Sequence, residues 1–269
     1  AFELYVRWSG LADKLQAGTY RVPAGLTEVQ LIQLLERNTG GTSVTLTVPE
    51  GWTPGQIGRA AESKGLFSAA AYLDVVQHGT FSDAFLAGRP AGADLTGYLF
   101  PDTYYLAPDA KPADLVQLQL RRFGEVVTPE LRARAQVHGL TFHQALTMAS
   151  IIEREAAFAE DRAPIAQVFY NRLAAGMPLQ DDATLLFAKG VTSGIPTDAD
   201  KQVNSPYNTY LHTGLPPGPI CNPGLAAIQA ALNPTPNDYL YFITDNAGHA
   251  HFARTLAEHE ALIARYGVH

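Results

Sequence analysis

Residues 141–157, which read TFHQALTMASIIEREAA, restrict the fold of this chain more than any other stretch. Thr141 is followed three positions later by Gln144, a capping box in which each side chain satisfies a backbone donor left free at a helix start. Apolar residues then recur at helical spacing and define one buried stripe, made of Phe142, Ala145, Leu146, Ala149, Ile152 and Ala156. The sequence therefore predicts a central helix around which the other elements pack.

Two glutamates lie near the end of this predicted helix. A step of about 100° per residue places Glu153 within the apolar stripe and Glu155 on its flank. Thr147, Ser150 and Arg154 fall on the polar face. A carboxyl group on an apolar face has a raised pKa, and a carboxylic acid still protonated near neutral pH can act as a general acid. Taken alone, the helix favours the simpler interpretation that Glu153 is structural, with its carboxylate either paired with an arginine or capping a neighbouring element.

The composition describes an ordinary globular protein and argues against several classes of partner. With 269 residues, 46% of them hydrophobic and 17% charged, the chain has room for one large domain or two. Its formal charge of −7 argues against nucleic acid, because nucleic-acid binding relies on basic surface. No apolar run is long enough to predict a membrane span. The sequence begins at Ala1 and not at Met, so we expect that an N-terminal segment has been removed.

The first 90 residues mix strand and helix patterns and predict a small α+β module. Residues 1–22 read as short strands around a turn, and residues 44–48 as a strand rich in β-branched side chains. Helices are predicted from Thr27 to about Asn38, from Thr53 to Gly65, and over 68–77 and 83–87.

Residues 91–269 are predicted to be mainly helical, with one β-hairpin over 239–253. Residues 91–110 read as a loop, whose tyrosines we interpret as core aromatics in preference to a sugar-stacking surface. Residues 191–224 form a long loop whose prolines, tyrosines and amides suit an ordered binding wall. Its single cysteine, Cys221, is predicted to be a buried small side chain. Helices are expected over 114–126, 128–136, 161–175, a stretch ending near Gly190, 225–232 and 256–266.

Several familiar catalytic patterns do not occur in this sequence. It contains no phosphate-binding glycine loop, no nucleophile elbow and no Cys/His metal pattern. His249, His251 and His259 are the only candidate zinc ligands, and their spacing matches no familiar site, so we expect neither a metal nor a cofactor. No serine occupies a setting typical of Ser-His-Asp catalysis.

Eight colinear segments resemble one family, the endolytic peptidoglycan transglycosylases, also called the YceG-like or MltG family. The LQAGTY run (15–20) extends the resemblance to the N-terminus, so that it covers nearly the whole chain. The segments are GYLFPDTY (97–104), ASIIEREA (149–156), VFYNRL (168–173), LQDDAT (179–184), YNTY (207–210), GLPPGPICNPG (214–224), YLYF (239–242) and HAHF (249–252).

The resemblance implies an α+β fold in two parts. Residues 1–90 are expected to form the N-terminal α+β module, in which residues 48–65 are similar to a LysM-like glycan-binding unit. Residues 91–269 are expected to form a mainly helical, lysozyme-like catalytic domain that carries the β-hairpin.

The resemblance also implies a reaction. Family members break the β-1,4 bond between N-acetylmuramic acid and N-acetylglucosamine without water, because the muramyl 6-hydroxyl attacks its own anomeric carbon and a 1,6-anhydro sugar results. One glutamate, assigned here to Glu153, first protonates the leaving oxygen and then acts as a base toward that hydroxyl. Using one residue twice is chemically coherent, since the donor becomes a carboxylate as the bond breaks. Glu155 is the alternative acid.

Further residues match family positions that line the cleft. They are Gln180, Asp182, Tyr207 and Asn208, and we place Tyr98 and Glu155 with them as substrate-binding residues. The residues alone assign only turn-forming or capping roles, and Asp182 in particular is suited to N-cap the next helix. Thr96 occupies a position where the family usually has a glutamate, so substrate preference or rate is expected to differ here.

The expected partners are peptidoglycan glycan strands and, as a family-level expectation, peptidoglycan synthases. The enzyme is expected at the extracytoplasmic face of the bacterial cytoplasmic membrane, held there by an N-terminal helix that this sequence does not include. Two alternatives stay open at this point: a muramidase, in which water attacks the sugar, and a non-catalytic cell-wall glycan-binding protein.

Overall fold

A computed structural model describes residues 25–36 and 43–267 of the chain. Single 3₁₀ turns lie at Ala84–Leu86, Arg134–His138 and Asp200–Gln202. The α-helices of the described residues are α1 (Glu28–Glu36), α2 (Pro54–Ser63), α3 (Ala69–His78), α4 (Pro112–Val126), α5 (Pro129–Ala133), α6 (Phe142–Glu155), α7 (Ala159–Ala174), α8 (Asp182–Ala188), α9 (Leu225–Leu232) and α10 (Leu256–Tyr266). The strands are β1 (Val44–Thr47), β2 (Thr103–Leu106), β3 (Tyr241–Thr244) and β4 (Ala250–Ala253).

The strands form two small antiparallel sheets. β1 pairs with β2, with Val44 opposite Leu106, and β3 pairs with β4, with Tyr241 opposite Ala253. The predicted hairpin is therefore confirmed, but the prediction of a loop throughout 91–110 is wrong. β2 forms there because alternate side chains, Tyr104 and Leu106, are buried while their backbone pairs with a strand far earlier in the chain.

Residues on either side of position 90 share one sheet and one core. β1 and β2 pair across that position, and the Tyr72 hydroxyl donates a buried hydrogen bond of 2.7 Å to Gln119 Oε1. One cluster of buried apolar side chains extends from Leu46 to Leu232. The division into 1–90 and 91–269 stays a prediction, and these contacts tie its two parts together.

Helix α6 lies at the centre of the fold and is buried on more sides than the sequence indicates. It begins with the predicted capping box and packs against α9, α7 and α8. Thr147 and Ser150, predicted on a polar face, are 1% and 0% exposed. The proline-rich loop covers that face, because Ser150 Oγ accepts the N–H of Ile220 at 3.0 Å and the Cys221 thiol donates to the Ser150 carbonyl. Cys221 is buried, as predicted.

The α+β class is confirmed by this arrangement, whereas the LysM-like and lysozyme-like descriptions stay predictions. The strands predicted within residues 1–22 lie outside the described residues. The helix predicted over 83–87 is only a 3₁₀ turn, and the one predicted from Asp161 begins two residues earlier, with Pro164 inside it. Of the helices in the described ranges, none has the length and apolar character needed to cross a membrane.

Candidate active site

The two glutamates at the end of α6 point to different surroundings. They are two positions apart, which separates their directions by about 200° around a helix. Glu153 faces the glycines that precede α2 and α9, whereas Glu155 faces α8 and the β-hairpin.

Glu153 is enclosed by backbone and by an arginine. Its side chain is 7% exposed, its Oε2 accepts the N–H of Gly224 at 3.0 Å, and its Oε1 lies 3.8 Å from Arg162 Nη2. Burial raises the pKa of Glu153, the Gly224 N–H and Arg162 oppose that rise, and the charge of Glu50 adds to it. The predicted burial and the direction of the predicted pKa shift are confirmed, and its catalytic role stays a prediction.

Glu155 lies on the wall of a cavity of about 480 Å³. Burial raises the pKa of Glu155 well above the usual range for a glutamate, and the neighbouring charges of Asp181 and Asp182 raise it further, while Arg154 opposes them. A carboxyl with these neighbours keeps its proton at a pH where an exposed glutamate is ionised.

The cavity combines an acidic side with an aromatic and apolar side. The acidic side is formed by the ends of α6 and α8 and by the turn between α7 and α8. The aromatic and apolar lining comes from β3 and from one face of α10. Beside Glu155, the lining residues are Phe169, Arg172, Leu179, Gln180, Asp181, Asp182, Tyr210, Tyr241, Phe242, Ile243, Thr244, Leu256, His259 and Ile263.

Gln180 and Asp182, both predicted to line the cleft, lie in this cavity. Gln180 has a left-handed backbone conformation with φ of +52°, unusual for a residue other than glycine. Its N–H donates to the Thr209 carbonyl at 3.0 Å, which holds the turn against the long loop. Asp182 is exposed and accepts the Tyr210 hydroxyl at 2.5 Å.

Asp181, and not Asp182, caps helix α8. Its Oδ1 accepts the N–H of Thr184 at 2.8 Å, so the capping role proposed for Asp182 is wrong by one position. Asp181 is 4% exposed and also lines the cavity. Burial raises the pKa of Asp181 to about 6.

Arg172 holds the turn that precedes the acidic residues. It is 8% exposed, and its guanidinium donates to the carbonyl oxygens of Leu179 at 2.7 Å and Leu240 at 2.6 Å. The same group lies 5.1 Å from the centre of the Tyr241 ring. Arg172 therefore ties the turn to the hairpin across the cavity.

The sequence interpretation missed Arg172, Asp181 and Tyr210 as members of this site. Arg172 had a signal, because it follows Ile165 and Val168 at helical spacing and so falls on the apolar face of α7. Asp181 lies in the segment LQDDAT, where the resemblance draws attention to its neighbours. Tyr210 ends YNTY, and only the three-dimensional structure brings its hydroxyl to Asp182.

Tyr207 and Asn208 are not part of the cavity around Glu155. Asn208 is fully buried, and its Nδ2 donates to the carbonyls of Lys201 and Val203, so it shapes the long loop from inside. Tyr207 packs on Phe187 with ring centres 4.8 Å apart. It lines a second cavity, of about 380 Å³.

The second cavity also contains Thr96 and His143, at the beginning of α6. His143 Nε2 faces the carbonyl of Pro217 at 3.2 Å and must donate to it, so Nδ1 accepts the Tyr98 hydroxyl at 3.0 Å. Tyr98 is fully buried and lines neither cavity. Its contacts are those of a core aromatic, and they leave no surface for the predicted contact with substrate.

The three histidines considered as zinc ligands are separated by their own contacts. His249 stacks on Phe158, and His251 Nε2 lies 2.8 Å from Asp245 Oδ2. His259 lines the cavity around Glu155 and packs on Tyr241. Within residues 25–36 and 43–267, no three His, Cys, Asp or Glu side chains are grouped so that they could hold a metal ion.

Comparisons with known proteins agree with the resemblance read from the sequence. Residues 1–265 match the YceG-like family. The chain is 36% identical to the endolytic murein transglycosylase of Bacillus subtilis strain 168, over 99% of this chain and 77% of that protein. It is 33% identical to the endolytic murein transglycosylase of Streptococcus pneumoniae serotype 2, over 98% of this chain but only 53% of that protein. The crystal structure of a putative YceG-like protein from Listeria monocytogenes superposes with a TM-score of 0.74 at 33% identity, over 97% of this chain and 89% of that one.

Proposed function

The chain belongs to the YceG-like family, and on this premise we propose that it is an endolytic lytic transglycosylase of peptidoglycan. It breaks the β-1,4 bond between N-acetylmuramic acid and N-acetylglucosamine within glycan strands. The muramyl 6-hydroxyl attacks the anomeric carbon, the bond to the leaving oxygen breaks, and a 1,6-anhydro end is formed. The names of its relatives support the class of enzyme, and the chemistry of the cavity supports the mechanism.

Glu155, and not Glu153, is the acid and base in this proposal. The observation that carries the assignment is that the half-buried side chain of Glu155 lines a cavity of about 480 Å³, where a sugar oxygen can reach it. Glu153 has a raised pKa as well, but its Oε2 accepts the Gly224 N–H, its Oε1 lies 3.8 Å from Arg162, and it lines neither large cavity.

Glu155 acts twice in one turnover. Protonated Glu155 gives its proton to the leaving oxygen as the glycosidic bond breaks, and the resulting carboxylate takes the proton of the 6-hydroxyl as that oxygen attacks. A second carboxylate at hydrolase spacing is not needed, because no water is activated. Burial raises the proton affinity of the group, which keeps Glu155 protonated before the first step and makes its carboxylate a stronger base in the second.

The remaining cavity residues position the sugar. The exposed side chains of Gln180 and Asp182 offer hydrogen-bonding groups at the acidic side, and the tyrosines Tyr210 and Tyr241 offer a hydroxyl and a ring face. The second cavity, which contains Tyr207, lies at the other end of α6 and extends the surface available to a long glycan strand.

The substrate implies a location outside the cytoplasmic membrane, where glycan strands are exposed. Residues 48–65, which include α2, are predicted to be LysM-like, and we assign them a glycan-binding role. Peptidoglycan synthases are the protein partners expected from the family.

Product analysis on uncrosslinked glycan strands tests this function. The wild-type protein should release fragments with 1,6-anhydro ends, and Glu155→Gln should release almost none. Reducing ends, heavier by one water, would instead identify a muramidase. If Glu155→Gln binds glycan like the wild type and neither protein cleaves it, the chain is a glycan-binding protein.

A further inference from the structure

One carboxylate oxygen of Asp181 is buried and accepts no hydrogen bond from an N–H or hydroxyl group of the described residues. Oδ1 accepts the N–H of Thr184, but Oδ2 has no accessible surface and receives no N–H or hydroxyl hydrogen bond from the described residues. The Glu155 carboxyl lines the same cavity as Asp181, and the two acidic side chains interact electrostatically. Two ionised carboxylates on one cavity wall repel each other, and a buried acceptor without a donor is costly. One proton held between the two carboxyls removes both penalties.

We propose that Asp181 is a positioning residue that shares one proton with Glu155 and keeps that acid protonated until it meets the substrate. This inference rests on the proposed function, and it goes beyond it by assigning a role to the helix-capping aspartate. Asp181 does not contact the sugar; it acts through Glu155.

The surroundings fix the Asp181 carboxylate in place. Its backbone N–H donates to Thr209 Oγ1 at 3.0 Å, and the Thr184 hydroxyl donates to its carbonyl at 2.7 Å. Asp181 is therefore held by α8 and by the long loop together, while its Oδ2 stays buried without a donor. The other charged or titratable groups around the pair are Asp182, Arg154, Arg172, Tyr210 and Cys221, and Tyr241 and His259 line the same cavity from β3 and α10.

The shared proton suits both halves of the reaction. In the resting enzyme the proton is bound to Glu155, whose O–H donates a hydrogen bond to Asp181 Oδ2. When Glu155 gives that proton to the leaving oxygen, the pair carries two negative charges in a buried setting. The doubly charged pair therefore has a high affinity for a proton. It takes that proton from the 6-hydroxyl, whose oxygen forms the new bond to the anomeric carbon. One proton leaves the pair and one returns, so the pair ends as it began.

The test is the pH dependence of kcat/KM on uncrosslinked glycan for wild type, Asp181→Asn and Asp181→Ser. Both replacements keep a good N-cap for α8 while they remove the charge. Without that charge Glu155 loses its proton at lower pH. The decline of kcat/KM on the alkaline side of the profile should therefore begin about one pH unit or more lower in both variants. An unshifted limb with a lower overall rate would mean that Asp181 is only structural, and it would overturn the inference.

A second readout does not depend on activity. NMR titration of the Glu155 carboxyl should give a lower pKa in Asp181→Asn than in wild type, and equal values would overturn the inference. The two proposals fail separately. If Glu155→Gln keeps full cleavage, the assignment of the acid fails; if Glu155→Gln is inactive but Asp181→Asn titrates like wild type, only the shared proton fails.

Discussion

Asn222 and Trp52 are 170 positions apart in the chain, yet two hydrogen bonds join them. The backbone N–H and the side-chain Nδ2 of Asn222 both donate to the Trp52 carbonyl, at 3.0 and 2.9 Å. The Oδ1 of the same side chain accepts the N–H groups of Gly97 and Leu99. A single buried amide thus joins three segments that lie far apart in the sequence. It lies two positions before Gly224, whose N–H binds Glu153.

Asn222→Ala should destabilise the protein strongly. The substitution leaves the buried N–H groups of Gly97 and Leu99 without an acceptor, and unmade buried hydrogen bonds of this kind should lower the free energy of unfolding by roughly 2–5 kcal/mol in total. Urea unfolding measures the loss. Asn233→Ala is the matched control, because Asn233 is exposed and its side chain bonds only within its own helix end. Equal small losses for both variants would contradict this account of Asn222.

The acidic pair in the cavity predicts that stability falls as the pH rises. Burial raises the pKa of Asp181 to about 6 and that of Glu155 well above its usual range. Above the unfolded pKa values the folded protein holds protons that the unfolded chain has released, so the free energy of unfolding decreases with rising pH. This contribution is complete below about pH 4 and is lost as the pH passes the folded pKa values.

Urea unfolding of wild type and Glu155→Gln between about pH 4.5 and 8 checks this. The variant has lost the group with the larger rise, so its stability should decline less steeply over that range. Asp200 and Asp245, whose pKa values are lowered to about 2 by hydrogen bonds, act in the opposite direction but only at lower pH. Parallel curves for the two proteins would contradict the prediction.

Gly97 should tolerate no side chain, for two physical reasons. Its φ of +90° disfavours any L side chain, and a Cβ there would lie 2.6 Å from Pro219 Cγ. Gly97→Ala should therefore lower the free energy of unfolding by roughly 2–5 kcal/mol. Gly139→Ala separates the two causes, because Gly139 has φ of +70° but open space around its Cα, so only about 1–2 kcal/mol of backbone strain is expected. Similar losses of stability for both glycines would show that Pro219 moves and makes room for the new Cβ.

Local patterns predicted the helices well. The capping box predicted at Thr141 forms as a hydrogen-bonded cap, and the structure adds a second capping box at Thr255. The C-terminal helix occupies the predicted residues 256–266, because its cap, its apolar spacing and the following glycine all act within a few residues. Such signals need no knowledge of the rest of the chain.

Long-range packing explains what the sequence did not predict. β2 becomes a strand only because β1, more than fifty positions earlier, supplies its partner. Thr147 and Ser150 are buried because a distant loop covers them, and no periodicity within α6 can indicate that cover. The same limitation affects the site: helical spacing shows that Glu153 and Glu155 point apart, but only the folded chain reveals which of them meets a cavity.

Substitution of each glutamate by glutamine distinguishes the two candidate acids. Glu155→Gln cannot donate or take a proton, so cleavage should fall by about 10²- to 10⁴-fold, the usual contribution of general acid–base catalysis. Glu153→Gln should keep activity within about tenfold of wild type. Its side-chain oxygen still accepts the Gly224 N–H, and the substitution removes a buried negative charge without changing the size of the side chain.

Both variants must first be shown to be folded, by urea unfolding at the pH of the assay. Initial rates of 1,6-anhydro end formation then give the comparison, with wild type measured beside them. If Glu153→Gln is the inactive variant and Glu155→Gln keeps its rate, the acid is the residue within the apolar stripe. The cavity around Glu155 would then need another role, and the shared proton with Asp181 would have no part in the reaction.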